Sequence, residues 1–194
     1  LTDLPKPRGV EFMPYVMGKH TVEPQIPQSP FQKGRQWNGS AGLDAKVALQ
    51  DFTLDLTINP DYGQVELDPS VMNLSAYEVF YDEKRPFFLE GKHILEFDNN
   101  AEGMMFYSRR IGAMPFYQPQ GIDNVENFAS TPTFIPIIGA LKLTGTNRKG
   151  LTVGLLESVT AQTSSKVMRN GIYDREVTEP LTNYTVARIQ KNWN

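Results

Sequence analysis

The residues that could do chemistry crowd into one stretch of the chain, residues 59–110. Its centre is Glu83-Lys84-Arg85-Pro86-Phe87-Phe88-Leu89-Glu90-Gly91, and Tyr107-Ser108-Arg109-Arg110-Ile111-Gly112 follows. A guanidinium can grip a carboxylate through two parallel hydrogen bonds, and Glu90 is an obvious partner for Arg85. If the second motif is a strand, neighbouring side chains point to opposite faces, so only one of Arg109 and Arg110 faces inward. With the carboxylates upstream, these residues read as one charge network: Asp61, Glu66, Glu83, Arg85, Glu90, Arg109 and Arg110. Such a network could be a charged constriction or ligand platform inside a pore. It could equally be a set of structural ion pairs that pin an inserted segment to a wall. The structural role is preferred, because a buried charge is tolerable only when paired and hydrogen-bonded.

Catalysis and metal binding find less support. A glycosidase needs two carboxylates flanking the bond it cleaves. Glu66, Glu78, Glu83 and Glu90 qualify by residue type alone, and basic residues stand beside them. Asn59, Asp61, Glu66 and Asp68 offer hard oxygen ligands of the kind calcium takes, but the full EF-hand spacing is missing and turn and cap roles suffice. His20 and His93 lack a neighbouring nucleophile motif, and neither a G-x-S-x-G elbow nor a P-loop occurs. No catalytic residue, metal or cofactor is therefore assigned.

Composition narrows the field further. The 194 residues include no cysteine, which excludes disulfides, thiolate nucleophiles and Cys-ligated metals. Two histidines cannot make a three-His site. The balance of 19 Lys+Arg against 22 Asp+Glu gives no basic excess for nucleic acid. No apolar run reaches the roughly 18 residues of a membrane helix, but a transmembrane β-barrel signals itself by alternation and is not excluded.

The elements that must position the network are strands. Residues 1–9, with Pro5, Pro7 and Gly9, read as a linker or leading arm, and residues 10–194 as one domain. Residues 11–19 are a strand interrupted by Pro14. Residues 21–38, with Pro24, Pro27 and Pro30, are an extended loop. From residue 41 to 59 Leu43, Val47, Leu49, Leu54, Leu56 and Ile58 alternate with Asp44, Lys46, Asp55 and Thr57, a hairpin with one apolar and one polar face. Residues 60–103 carry no strand signal; helix starts stand at Asp68-Pro69 and Ser75…Glu78, and Pro86 ends any helix before it. A strand over 104–111, a loop over 113–136, a second hairpin over 137–160, a polar loop over 161–179 and a strand over 181–193 follow.

The fold class is thus all-β, with about six or seven antiparallel strands joined alternately by short turns and long loops. Two architectures share that pattern. One is a soluble sandwich. The other is the first part of a large outer-membrane β-barrel, with residues 60–103 folded inward as a plug-like segment of loop and short helix. In a barrel, Phe12, Tyr15, Tyr107, Tyr184 and Trp193 near strand ends would suit interfacial girdles, Leu43, Val47, Leu49, Leu54, Leu56, Leu141, Leu143, Val153 and Leu155 would point to lipid, and Asp44, Lys46 and Asp55 would line the concave side. Leu1 in place of Met, and the stop at Asn194 just after a strand, suggest a piece of a longer protein.

The run of motifs carries a resemblance. Asn59-Pro60-Asp61-Tyr62-Gly63-Gln64-Val65-Glu66-Leu67-Asp68-Pro69, Asn73-Leu74-Ser75-Ala76-Tyr77-Glu78, Glu83 to Gly91, Phe106-Tyr107-Ser108-Arg109-Arg110-Ile111-Gly112, Gly139-Ala140-Leu141-Lys142-Leu143-Thr144-Gly145 and Glu179-Pro180-Leu181-Thr182-Asn183-Tyr184-Thr185-Val186-Ala187-Arg188 resemble, in order and spacing, an uncharacterised family of large outer-membrane proteins of Gram-negative bacteria. Its members typically carry a family-nine carbohydrate-binding module followed by a barrel-like domain. The resemblance implies the cell outer membrane as location. It implies as partners outer-membrane lipid, a glycan ligand and other outer-membrane chains, without nucleic acid. The function it implies is passage or capture of an extracellular solute, glycan-derived among the candidates, or a scaffold in an outer-membrane assembly. The alternative is a carbohydrate-active hydrolase or its accessory carbohydrate-binding domain; enzymatic activity is left open, with the non-enzymatic reading preferred.

Overall fold

Alternating sequence becomes paired strands over most of the chain. The structure, a computed structural model, describes residues 9–22, 24, 29–31, 34–60, 80–96, 106–120, 122 and 127–193. The strands are β1 (Val10–Val22), β2 (Arg35–Leu49), β3 (Phe52–Ile58), β4 (Phe128–Ser130), β5 (Ile137–Thr146), β6 (Leu151–Thr160), β7 (Thr163–Arg169), β8 (Ile172–Glu179) and β9 (Thr182–Lys191). Two four-residue helices, α1 (Pro86–Leu89) and α2 (Lys92–Leu95), and a 3-10 turn at Ser108–Arg110 complete the described elements. The chain is all-β. Six strands form one antiparallel sheet in the order β1-β2-β3-β5-β6-β9, and β4-β7-β8 form a smaller one.

Several expectations need correction, among them the loop over 113–136, which contains β4 paired with β7. β1 runs unbroken through Pro14 to Val22. It lies at the sheet edge, where the missing N–H of proline costs no ladder bond. The loop after it is correspondingly shorter, because Arg35 to Asn38 already pair with β1. Phe106 to Ile111 is not a strand: Tyr107 enters a 3-10 turn, so the alternation argument for Arg109 and Arg110 does not apply. Residues 161–179 are not a loop but the hairpin β7–β8.

That hairpin continues the one below it. Thr160 pairs with Thr182 and Thr163 with Glu179, three residues further along each arm, so the register carries straight from β6–β9 into β7–β8. A bulge at Thr163/Ser164 bends the ribbon there. The tip is the two-residue turn Asn170-Gly171, with φ of 50° and 78°, the left-handed pair that matches the twist of a hairpin.

The connections sort by end. At one end Gln50-Asp51 joins β2 to β3, and residues 147–150 join β5 to β6. At the other end β1 ends and β2 begins, the chain leaves β3 at Ile58 and returns to β5 at Ile137, and the β7–β8 extension departs.

The two faces of the large sheet differ in kind. One carries Val10, Phe12 and Val16 of β1, Leu43, Val47 and Leu49 of β2, Phe52, Leu54, Leu56 and Ile58 of β3, Leu141 and Leu143 of β5, and Val153, Leu155 and Val159 of β6, with Glu157 among them, held by Asn183 and Thr185 of β9. None of these is buried: Val16 is 85% exposed, and the Leu and Val side chains of β5 and β6 are half-buried by neighbours in the sheet. The opposite face carries Asp44, Lys46, Asp55, Thr57, Lys142, Thr144, Ser158 and Thr160, and there Asp55, Thr57, Lys142, Thr144, Ser158 and Thr160 are buried. The described hydrophobic core lies on this polar side. It joins Phe88, Leu95 and Ile111 to Ile137, Ala140 and Leu156.

Candidate functional site

The site grows from one row of residues across the sheet. Register places Glu11 of β1 opposite Lys46 of β2, Lys46 opposite Asp55 of β3, and Asp55 opposite Lys142 of β5. All four lie on the polar face, so charge alternates in sign along the row. Cross-strand neighbours stand ~4.5–5.5 Å apart at Cβ, close enough for each opposite pair to attract. Leu156 of β6 and Val186 of β9 continue the row as apolar positions.

Lys142 is the centre. It is 0% exposed and its ammonium sits 3.2 Å from the Asp55 carboxylate. That nitrogen also donates to the Phe87 carbonyl and lies 4.7 Å from the centre of the Phe87 ring. The Asp55 oxygen nearest the ammonium is in ion-pair contact but poorly aligned for a hydrogen bond. Lys46 pairs with Glu90, and Asp44 accepts from the Thr57 hydroxyl at 2.6 Å. From β9, Arg188 donates to the Ile94 carbonyl at 3.0 Å. Thus sheet side chains from β2, β5 and β9 all reach residues 87–94.

Two glycines allow that approach. Gly91 has φ 68°, and a Cβ there would come within 2.8 Å of the Thr144 hydroxyl. A Cβ on Gly154 would come within 2.8 Å of Ile94. A side chain at either position would push the helices off the sheet.

A second polar centre ties the segment to itself. Arg85 forks onto Glu83 with two bonds of 2.7 Å, and donates to the carbonyls of Ile111 at 2.6 Å and Ser108 at 2.8 Å. The Ser108 hydroxyl donates to Glu83 at 2.6 Å, and the Arg85 guanidinium lies 4.2 Å from the Phe88 ring centre. Burial would raise the Glu83 carboxyl, but the bonds and charge of Arg85, with the Ser108 hydroxyl, outweigh it and hold the group below the ordinary carboxylate range. Tyr107 brackets Tyr81, accepting from its N–H at 2.7 Å and donating to its carbonyl at 3.1 Å. Arg109 donates to the Asp82 carbonyl at 2.9 Å. Residues 81–85 and 106–111 are thereby knotted into one body.

The residues proposed from sequence fall as follows. Glu83, Arg85 and Arg109 lie in this body, with the exposed Arg110 at the end of its 3-10 turn, and Glu90 follows it as the C-cap of α1. Arg85 takes Glu83 rather than Glu90, which turns instead to Lys46. Asp61, Glu66, Asp68 and Glu78 lie outside the described residues. Asn59 is a bracket: its amide donates to the Ala41 carbonyl at 2.7 Å and its own carbonyl accepts from Tyr15. Among the described residues no cluster of three His, Asp or Glu side chains could hold a metal ion. Lys142 was missed, since a lone lysine between Leu141 and Leu143 reads as the solvent side of a strand. Of the aromatics expected at interfaces, Phe12 and Trp193 are exposed, Tyr107 is buried in the knot, and Tyr184 packs against the core on the polar face.

Comparison with known proteins adds one finding. Residues 6–194 match the family described as "Domain of unknown function (DUF5916)", and the chain belongs to that family. No curated protein and no solved structure matches it.

Proposed function

We propose that this DUF5916 chain forms part of the wall of an outer-membrane β-barrel. Residues 81–96 and 106–111 lie against its inner face as a constricting, plug-like segment. The function is passage or capture of an extracellular solute, a glycan-derived one among the candidates, or a scaffold role with other outer-membrane chains.

The observation that carries this reading is the inversion of the large sheet. Its aliphatic face is left open while Lys142, Asp55, Thr57 and Ser158 are buried on the other side. In water that arrangement wastes the hydrophobic effect, whereas lipid around an aliphatic face and a polar interior is what a membrane barrel requires. Three further features support it. Short turns gather at one end and long connections at the other, as in bacterial barrels. β5, β6 and β9 are each ten residues long, near the ~9–11 that span the bilayer at a tilt. Beyond the sheet, Phe31 sets its ring edge-on to Tyr173 at 6.1 Å. Phe31 precedes β2 and Tyr173 lies on β8, which continues into β9; β2 and β9 are four strand spacings, about 19 Å, apart in the sheet, so the extensions lean toward one another. The wall needs further strands, because six are fewer than the roughly eight of the smallest bacterial barrels and an open edge in lipid is costly.

A hydrolase reading gains nothing from the described carboxylates. Glu83 is held by Arg85 and Ser108, and Glu90 by Lys46. The test of the proposal is fractionation of cells producing the full-length protein. It should sediment with outer membranes and resist alkaline carbonate extraction; recovery in the soluble fraction would overturn it.

A further inference from the structure

We infer that residues 81–96 and 106–111 undock from the sheet as one preformed body, along the Glu11–Lys46–Asp55–Lys142 row, and so open the space they occupy. The inference rests on the barrel reading, since it takes the polar face as an inner wall. Two sets of contacts carry it. Inside the body, Arg85 binds Glu83, Ser108 and Ile111, and Tyr107 binds Tyr81. The bonds of Arg85 to Ser108 and Ile111 and of Tyr107 to Tyr81 join its two halves, and none of these bonds involves a wall residue, so they survive separation. Across the seam, wall side chains donate: Lys142 to the Phe87 carbonyl, Lys46 to Glu90, and Arg188 to the Ile94 carbonyl. The acceptors are backbone carbonyls and a half-exposed carboxylate, groups for which water can substitute.

Charge balance points the same way. Removing one partner of a buried ion pair is costly because the other is left uncompensated. Here both partners of the buried pair, Asp55 and Lys142, belong to the wall, as do Glu11 and Lys46. Separation leaves two charges of each sign facing one another in water, and restores hydration to a pair that docking had dried. On the body, Glu83 keeps Arg85. What opposes separation is apolar: Phe88, Leu95 and Ile111 must leave Ile137, Ala140 and Leu156. That contact makes the docked arrangement the resting one, and the seam beside it is flattened by Gly91 and Gly154.

The experiment uses the full-length protein in lipid vesicles. A Thr144→Cys variant places a thiol in the seam beneath Gly91, and a water-soluble maleimide reads its exposure. Hydrogen exchange at the amides of Phe88 and Ile111, bonded to the carbonyls of Arg85 and Ser108, reads the integrity of the body. If the body leaves intact, the thiol reacts at least tenfold faster than those amides exchange. Adding Glu90→Gln, which removes an exposed ion pair, should speed the thiol by roughly 1.5- to 5-fold and leave amide protection unchanged. A bis-maleimide bridge in a Lys46→Cys/Glu90→Cys background should slow it at least tenfold. A thiol that never reacts, one that reacts only in step with amide exchange, or a bridge without effect would overturn the inference. Should Thr144→Cys fail to fold, Ser158→Cys serves: the swap is nearly isosteric, and its register partner Ala140 packs in the same core. Failure to insert into vesicles would overturn the barrel reading and this inference with it; insertion with a silent seam would overturn undocking alone.

Discussion

Asp55 and Lys142 face each other on adjacent strands, 3.2 Å apart, and both are shut away from water beneath the Phe87 carbonyl. The pair is registered by the sheet and buried by the docked segment, so it couples the two. Replacing Lys142 alone by Met strands a buried carboxylate. Breaking such a pair costs about 3–5 kcal/mol, whereas removing both charges is often close to neutral. Unfolding of the full-length protein in denaturant should therefore show Lys142→Met as strongly destabilised and the double variant Asp55→Asn/Lys142→Met as recovering most of the loss. Equal losses in both would mean that the pair carries no coupling.

Arg85 should be the least replaceable residue of the segment. Its guanidinium serves Glu83, Ser108 and Ile111 at once. Arg85→Ala should cost about 3–5 kcal/mol by leaving Glu83 buried and uncompensated. Arg85→Lys should recover little, because an ammonium cannot fork onto two oxygens and two carbonyls. Limited proteolysis reads this directly: cleavage should appear within residues 80–111 and spare the strands. Unchanged protease resistance would show the knot to be incidental.

The same knot sets a pH dependence. The Glu83 carboxyl lies below its ordinary value in the folded protein. A lowered carboxyl contributes stability that is fully present above the unfolded value, ~4.3, and is lost as pH falls through the folded value. Protection of the Phe88 amide should hold at neutral pH and fall away only in acid below that range. Ser108→Ala removes one of the bonds that lower the group, so it should move the loss to higher pH. A loss centred near neutral pH would exclude Glu83 as its source.

Much of this fold was legible because side-chain alternation is a local signal. Leu43 to Ile58 and Leu141 to Leu155 declared both hairpins, and the absence of strands around Glu83–Gly91 declared the inserted segment. What escaped notice had other causes. β7 and β8 bury Thr163, Ser165 and Thr178 with Val167 as the one buried aliphatic among their described residues, so a mostly polar composition hid a paired ribbon. The Asn170-Gly171 dipeptide was the signal that could have found it. The segment before Arg35 is proline-rich, which drew the loop too long. The partner of Arg85 was misassigned, since distance along the chain does not say which carboxylate a fork can reach in a tight turn. The charged row was legible only in part: alternation put Lys46 and Asp55 on one face, but Glu11 and Lys142 join them only through strand register.

The aliphatic face should tolerate charge far worse than the polar face. In a membrane barrel, Arg on the lipid side costs about 2–4 kcal/mol at mid-depth. Leu143→Arg should lower the yield of protein folded into vesicles. Thr53→Arg, on the opposite face of the neighbouring strand, should fold near the wild-type level. The reverse ranking would mean that the faces have been exchanged.

The most direct measurement of the central claim is depth-dependent quenching. An environment-sensitive fluorophore is placed through Leu143→Cys or Val153→Cys, and separately through Thr53→Cys, in the full-length protein in vesicles containing brominated lipid. The probes at positions 143 and 153 should be quenched by the brominated chains and not by aqueous iodide, and the probe at position 53 should not respond to brominated lipid. Probes at 143 and 153 shielded from both quenchers would place another protein layer over the aliphatic face and contradict the barrel account.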